Sequence, residues 1–195
     1  MSQRKKVNLH EIECGLLIGE GSQALVCVGI HQGTPLFALK IYKQNKMYSD
    51  AEAKAAAKAE IEANLKLDYE DGHGNIVKFY SATVHYGPVT NGKHKQKVVA
   101  TVLIYELVKG GDLLSYLTKP LPPLKKPLPP FKEPVARFIA RQIINGVFYA
   151  HSKGVWVLDI KLENILVDGN LELWNWKNWI KLADFGLSHI QEEGK

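Results

Sequence analysis

The sequence predicts an α+β chain in two lobes, an N-terminal antiparallel sheet carrying one main helix and then a helical C-terminal part. Three observations carry this. Short apolar runs broken by glycine and proline turns fill residues 14–42 and 76–107, the pattern of hairpin-linked strands. A single Ala-rich run to Leu67 interrupts them with strong helix propensity. After Gly110-Gly111 the apolar spacing changes to three and four residues, which is helical.

Element by element, Leu16 to Ile18 reads as a strand, Gly19 to Gly21 as a turn, and Val26, Val28 and Ile30 as the core positions of a second strand. Gln32-Gly33-Thr34-Pro35 breaks the chain before a third strand, Leu36 to Tyr42. Ser49-Asp50 is placed to cap the Ala-rich helix, and Asp71-Gly72-His73-Gly74 ends it. Ile76 to Val84 and Val98 to Leu107 read as strands joined by a polar hairpin, Val89 to Lys97. The lobe boundary belongs near Val108 to Gly111, giving an extension at residues 1–13, one lobe over 14–108 and another over 109–195. A short helix opens at Asp112-Leu113. Residues 120–134 hold seven of the nine prolines, so no regular element persists there. Their two Pro-x-x-Pro stretches suit an aromatic groove, but a solvated insertion is the commoner meaning of such pairs. Pro134 opens a helix to about Ser152 whose stripe of Val135, Phe138, Ile139, Ile143, Val147 and Phe148 demands burial. Short strands follow at Ile165 to Val167 and Trp179 to Ala183, with Trp174 and Trp176 between them as cover for the nearby core.

With 195 residues, 46% of them hydrophobic and 23% charged, the chain falls in the ordinary globular range. The longest apolar run, Val98 to Tyr105, contains Thr101 and is far shorter than the roughly eighteen residues a spanning helix needs. The basic start, Met1 to Lys6, leads into no apolar signal core, and Ser2 excludes N-myristoylation, so the expected address is cytoplasmic, or nuclear. Cys14 and Cys27 read as reduced thiols in a packed interior. His73, His85 and His94 lack metal-type pairing. The net charge of +5 is spread among acids rather than gathered in a stripe, so neither nucleic acid nor membrane is the expected partner.

The chemistry-bearing residues come in a fixed order. Gly19-Glu20-Gly21 lies between two strands, not at a strand-to-helix turn, which excludes a dinucleotide fingerprint. Glycines in a hairpin let backbone amides approach phosphate oxygens, with Val26 over a base; a plain tight turn fits equally well by itself. Lys40 stands among apolar neighbours on the third strand, where an unpaired ammonium is costly. Its carboxylate partner is expected on the following helix, at Glu60, with Glu62 and Glu52 as alternatives. Phosphoryl transfer asks a site to orient a nucleophile, neutralise phosphate and hold metal. In Asp159-Ile160-Lys161-Leu162-Glu163-Asn164, Asp159 can orient a hydroxyl and Lys161 can steady the phosphoryl group. Asn164 and Asp184, of Asp184-Phe185-Gly186, can bind magnesium. Alone, the Asp-x-Lys-x-x-Asn stretch would be a charged turn.

Taken together, these motifs make the chain, from about Leu9 onward, resemble the eukaryotic protein kinase family. The resemblance implies a two-lobed kinase-like fold using ATP and Mg2+, with protein hydroxyls as substrate. It implies that Gly19 and Gly21 line the phosphates, that Val26, Ala38 and Leu166 enclose adenine, and that Lys40 with Glu60 grips the α and β phosphates. Tyr105 becomes the gatekeeper, Glu106 to Val108 the hinge that bonds adenine, and Asp112 a ribose contact. Lys161 looks like the serine/threonine subgroup; Gly110 to Leu113 and Asp159 to Leu166 look similar to calcium/calmodulin-dependent and related kinases.

Departures open a second reading. Val157-Leu158 replaces the family's His-Arg before the catalytic aspartate, removing the arginine that meets a phosphorylated activation loop. Ala24 stands for the third loop glycine and Leu162 for a usual proline. Nothing after Lys195 supplies the substrate-binding segment or the remaining helices, so the C-terminal lobe is expected to be incomplete. Phe138, Ile139, Ile143 and Val147 are then expected to be partly exposed, as a partner-seeking surface. The alternative to an enzyme is thus a catalytically impaired nucleotide-binding, regulatory or scaffold protein. A small-molecule kinase is the third reading, which Lys161 argues against.

Overall fold

Strands β1 (Ile12–Glu20), β2 (Ala24–His31), β3 (Thr34–Tyr42), β4 (Phe79–Asn91) and β5 (His94–Glu106) build one sheet in the order β1-β2-β3-β5-β4 in this computed structural model. The structure describes residues 11–42, 50–68, 72–91, 94–118, 131–169 and 180–191. The proline-rich stretch up to Pro130, Ser49, and Trp174 and Trp176 lie outside them. Helix α1 (Asp50–Leu67) separates β3 from β4, and α2 (Leu113–Thr118), α3 (Glu133–Ser152), β6 (Val155–Trp156), β7 (Ile165–Val167), β8 (Ile180–Leu182) and β9 (His189–Ile190) follow. Two compact units result, Met1–Ala57 with Tyr80–Leu107 and Lys58–Phe79 with Val108–Lys195.

The first unit takes its core from one face of the sheet. Leu25, Cys27, Phe37, Leu39, Ile41, Ala100, Val102 and Ile104 are buried together, with Ile12, Cys14 and Leu17 against them. This reverses the expected parity of β2. Leu25 and Cys27 are buried while Val26, Val28 and Ile30 are only half-buried on the opposite side. Both faces of β2 are apolar, so alternation by itself does not choose between them.

The second unit gathers Ala63, Leu67, Ile76, Leu113, Ile139, Ala150, Val155, Ile165, Val167, Ile180, Leu182 and Phe185 into its own core. Helix α1 buries Ala53, Ala57, Glu60, Ala63, Asn64 and Leu67 at three and four residue steps, a narrow stripe of mostly small side chains. Helix α3 begins with Pro134 in its first turn, where the missing N–H costs nothing. Its apolar stripe is shifted from expectation. Ile139 is buried and Phe138, Ile143 and Val147 pack half-buried on the core, but Phe148 is 75% exposed, as is Ile144 at 64%.

Candidate functional site

Strand register brings the expected residues of the first unit into two cross-strand rows. Gly19 pairs with Val26, Val26 with Lys40 and Lys40 with Leu103; Val28 pairs with Ala38 and Ala38 with Tyr105. Directly paired residues share a face, so Val26, Val28, Ala38, Lys40 and Tyr105 stand together on the side away from the unit's core. The β1–β2 turn is closed by the Gly21 N–H donating to the Ala24 carbonyl at 2.9 Å. Lys40 lies 5.3 Å from the centroid of the Tyr42 ring. Glu106 ends β5 opposite Phe37. Val28, expected only as a core position of β2, stands instead beside Ala38 on this face.

The second unit holds Glu60, Val108, Asp112, Asp159, Lys161, Asn164, Leu166 and Asp184. Of the three candidate carboxylates on α1, Glu60 is fully buried at 0% exposure, whereas Glu52 and Glu62 are exposed. A carboxylate so placed demands a charge or hydrogen-bond partner. Asp112 caps α2, its Oδ1 accepting from the Ser115 N–H at 2.7 Å, and it bridges to Leu166 of β7. Val108 is buried just before it.

Asp159, Lys161 and Asn164 form one hydrogen-bonded constellation. The Lys161 ammonium donates to Asp159 Oδ2 at 2.6 Å. Asn164 Nδ2 donates to the same oxygen at 3.0 Å and to the Asp159 carbonyl at 2.9 Å. The Asp159 carboxylate, seconded by Asp184 and Glu163, holds the Lys161 ammonium above the ordinary lysine range. A 3-10 turn, Leu162–Asn164, brings Asn164 back onto Asp159. The Asn164 carbonyl then accepts from the Ala183 N–H at 2.9 Å, tying the loop to the residue before Asp184.

Asp184 adopts φ +63°, in the left-handed region sparsely used by non-glycine residues. Its Oδ1 accepts from the Gly186 N–H at 3.3 Å, the short-range bond that makes Asp tolerant of this conformation. Next to it Phe185 is buried in the core, so the exposed carboxylate sits on a firmly anchored neighbour. Among the described residues no group of three or more His, Cys, Asp or Glu gathers as a metal site. Asp184 and the Asn164 amide oxygen are the protein groups here that could hold a cation, which would need other oxygens to complete its shell.

A polar network that sequence reasoning did not identify positions β8. Asn75 Nδ2 donates to Gln142 Oε1 at 3.0 Å and to the Ile180 carbonyl at 2.8 Å, and Gln142 Oε1 also accepts from the Ile180 N–H at 3.2 Å. Both side chains are buried. Tyr149 donates to the Leu67 carbonyl at 3.0 Å and stacks on His73 at 4.8 Å. The available signal was Gln142 itself, a polar residue inside the apolar stripe of α3. Just before the loop, Leu158 is 67% exposed where the resemblance expects an arginine.

Comparison with known proteins assigns the class. The family model for the protein kinase domain matches residues 12–195. The chain therefore belongs to the protein kinase family, and its mixed sheet and helix architecture is that of the family. It is 32% identical over 183 residues to CBL-interacting protein kinase 25 of Oryza sativa subsp. japonica, covering 92% of this chain and 30% of the relative. CBL-interacting serine/threonine-protein kinase 17 of Arabidopsis thaliana is 30% identical over 195 residues, 97% of this chain and 38% of the relative. Death-associated protein kinase 2 of Homo sapiens is 32% identical over 194 residues, 98% of this chain and 45% of the relative. The chain thus spans less than half the length of each of these relatives. Among the described residues no helix is long and apolar enough to cross a membrane.

Proposed function

We propose that the chain carries the two half-sites of a serine/threonine protein kinase, which moves the γ-phosphate of ATP to a protein hydroxyl. The observation that supports this most is the bonded set of Asp159, Lys161 and Asn164, tied through Ala183 to Asp184. In this reading Asp159 accepts and orients the substrate hydroxyl and Lys161 steadies the transferred phosphoryl group. Asn164 and Asp184 hold Mg2+, which when bound neutralises phosphate charge. Gly19 and Gly21 offer backbone amides to the phosphates, while Val26, Ala38 and Leu166 enclose adenine. Glu106 and Val108 bond it, and Asp112 meets the ribose. Lys40 grips the α and β phosphates with Glu60 as its partner, the choice that the burial of Glu60 supports. The lobes are assigned to residues 14–108 and 109–195, after an extension at 1–13. Two free thiols suit a reducing cytoplasm.

A second reading, a nucleotide-binding regulatory or scaffold protein without transfer, draws on the exposed Leu158 and on exposed Ile144 and Phe148 as a partner's footing. Two measurements separate them. Magnesium-ATP should raise the melting temperature of the chain, by about 2.7 kcal/mol of stability at a hundredfold excess over Kd, and Lys40→Met should abolish the rise. No shift in the unmutated protein would refute nucleotide binding. Transfer of labelled phosphate to a generic basic protein, lost in Asp159→Asn, would establish the enzyme; binding without transfer would establish the regulatory reading.

A further inference from the structure

Lys40 and Tyr42 are two residues apart on β3 and so project from the same face of the strand. The Lys40 ammonium lies over the Tyr42 ring, 5.3 Å from its centroid, within the reach of a cation–π contact. Tyr42 is 3% exposed, so its ring is held in place by packing, whereas Lys40 is half-buried. Register explains the fixing, since β3 is flanked on both sides here and Tyr42 pairs with Ala24 of β2 and Thr101 of β5. Ala24, itself buried, accepts the Gly21 N–H that closes the glycine turn, so Tyr42 stands in the row at the foot of that turn. In its own row Lys40 has apolar partners on both sides, Val26 and Leu103, the latter wholly buried. Neither can answer its charge, and the Tyr42 ring is the group that β3 itself turns towards it.

We propose that Tyr42 is a positioning residue for Lys40, its ring face seating the ammonium on the sheet face shared with Val26 and Ala38 before any phosphate arrives. Lysine has more rotamer freedom to lose than most side chains, so a site that must fix it afresh binds its ligand more weakly. A ring that seats it beforehand removes that cost. The ring is also neutral, so it orients the ammonium without cancelling the charge that an anion would meet. A carboxylate in the same place would cancel it. The same geometry has a blander meaning, the apolar stem of Lys40 covering an aromatic surface. The two differ in one property, because a cation–π contact weakens as electron density leaves the ring face and stem packing does not. The role of the ammonium at phosphate rests on the proposed function; its seating on the ring does not.

In the nucleotide-free chain, isotope-labelled at the lysine ε carbons, the Lys40 ε protons should be shifted upfield by the ring current, and Lys40→Arg identifies their signal by removing it. Tyr42→Phe should keep the shift and Tyr42→Leu should abolish it. The Kd for magnesium-ATP should stay nearly unchanged in Tyr42→Phe and rise about 2–30-fold in Tyr42→Leu, the range that cation–π contacts span from exposed to desolvated sites. Phenylalanines with one, two and three ring fluorines at position 42 draw charge from the ring face at nearly constant shape. Along that series the Kd should rise in steps and the upfield shift decline, which keeps the test valid if Tyr42→Leu does not fold. An ordinary lysine shift in the unmutated chain, a loss in Tyr42→Phe as large as in Tyr42→Leu, or indifference to fluorination would overturn the proposal. If magnesium-ATP does not bind the unmutated chain, the proposed function fails instead, and the upfield shift along the fluorinated series still decides the seating of Lys40.

Discussion

His73 shows how one side chain is committed by its surroundings. Its Nδ1 accepts from the Asn75 N–H at 3.1 Å while its ring stacks on Tyr149, so it must be neutral at Nδ1 to keep the bond. Burial accordingly lowers its pKa below the usual 6.5. The unfolded chain then takes up this proton first as pH falls, so the contribution of His73 is complete above about pH 6.5 and is lost below it, towards its folded value. His73→Phe keeps a ring against Tyr149 and cannot titrate. Urea unfolding at pH 7.0 and 5.5 should show a smaller loss of stability in His73→Phe than in the unmutated chain; equal losses would refute the assignment. Sequence reasoning saw His73 only as an isolated loop histidine, because its acceptor role exists only once Asn75 folds back over it.

Helix α3 does more than cover a core. Gly146 lies where a Cβ would meet the Asn75 carbonyl at 2.8 Å and Leu182 Cδ1 at 2.9 Å, so the helix backbone passes directly against the loop and β8. Gln142, one turn earlier, bonds the same two segments. Gly146→Ala should therefore destabilise the chain by about 1–3 kcal/mol despite better helix propensity, since the clash is with backbone that cannot rotate away. Gln142→Leu should cost about 1–3 kcal/mol by stripping the acceptor from the buried Ile180 N–H. Denaturant midpoints at constant slope check both. A stabilised Gly146→Ala would mean that helix propensity outweighs the clash. The helix and its start at Pro134 were legible in the sequence, because periodicity and proline placement are local signals. Which turn of it needs a glycine was not, because that depends on a loop some seventy residues earlier.

At the scale of the whole molecule, each unit closes its own core, and among the described residues exposed apolar side chains remain on several elements, two of them on one face of α3. Ile144 and Phe148 are one turn apart on α3 and mostly exposed. If this pair is a footing for self-association, removing its apolar character should show it. Ile144→Lys with Phe148→Lys should raise the monomeric fraction in sedimentation at high concentration, with stability changed by no more than about 0.5 kcal/mol. A large loss of stability would instead mean that these side chains belong to the fold. The expected stripe of α3 erred at Phe148 because a broad apolar face is compatible with several rotations of the helix, and packing chooses among them.

By itself the sequence determined the order of elements, the two-part character of the chain and the chemical kit, since glycine turns, helical periodicity and the spacing from Asp159 to Asp184 are local or need no packing to be read. It did not determine which face of β2 is core, since Val26 and Cys27 are both apolar and alternation has no sign. It put Glu60 ahead of Glu52 and Glu62 as the expected partner of Lys40, but the burial that sets Glu60 apart from the other two was not legible in it. That Cys14 and Cys27, thirteen positions apart, belong to one core on neighbouring strands waited on strand register. Such choices were decided only by the tertiary structure, because each depends on what packs opposite a residue rather than on what precedes or follows it in the chain.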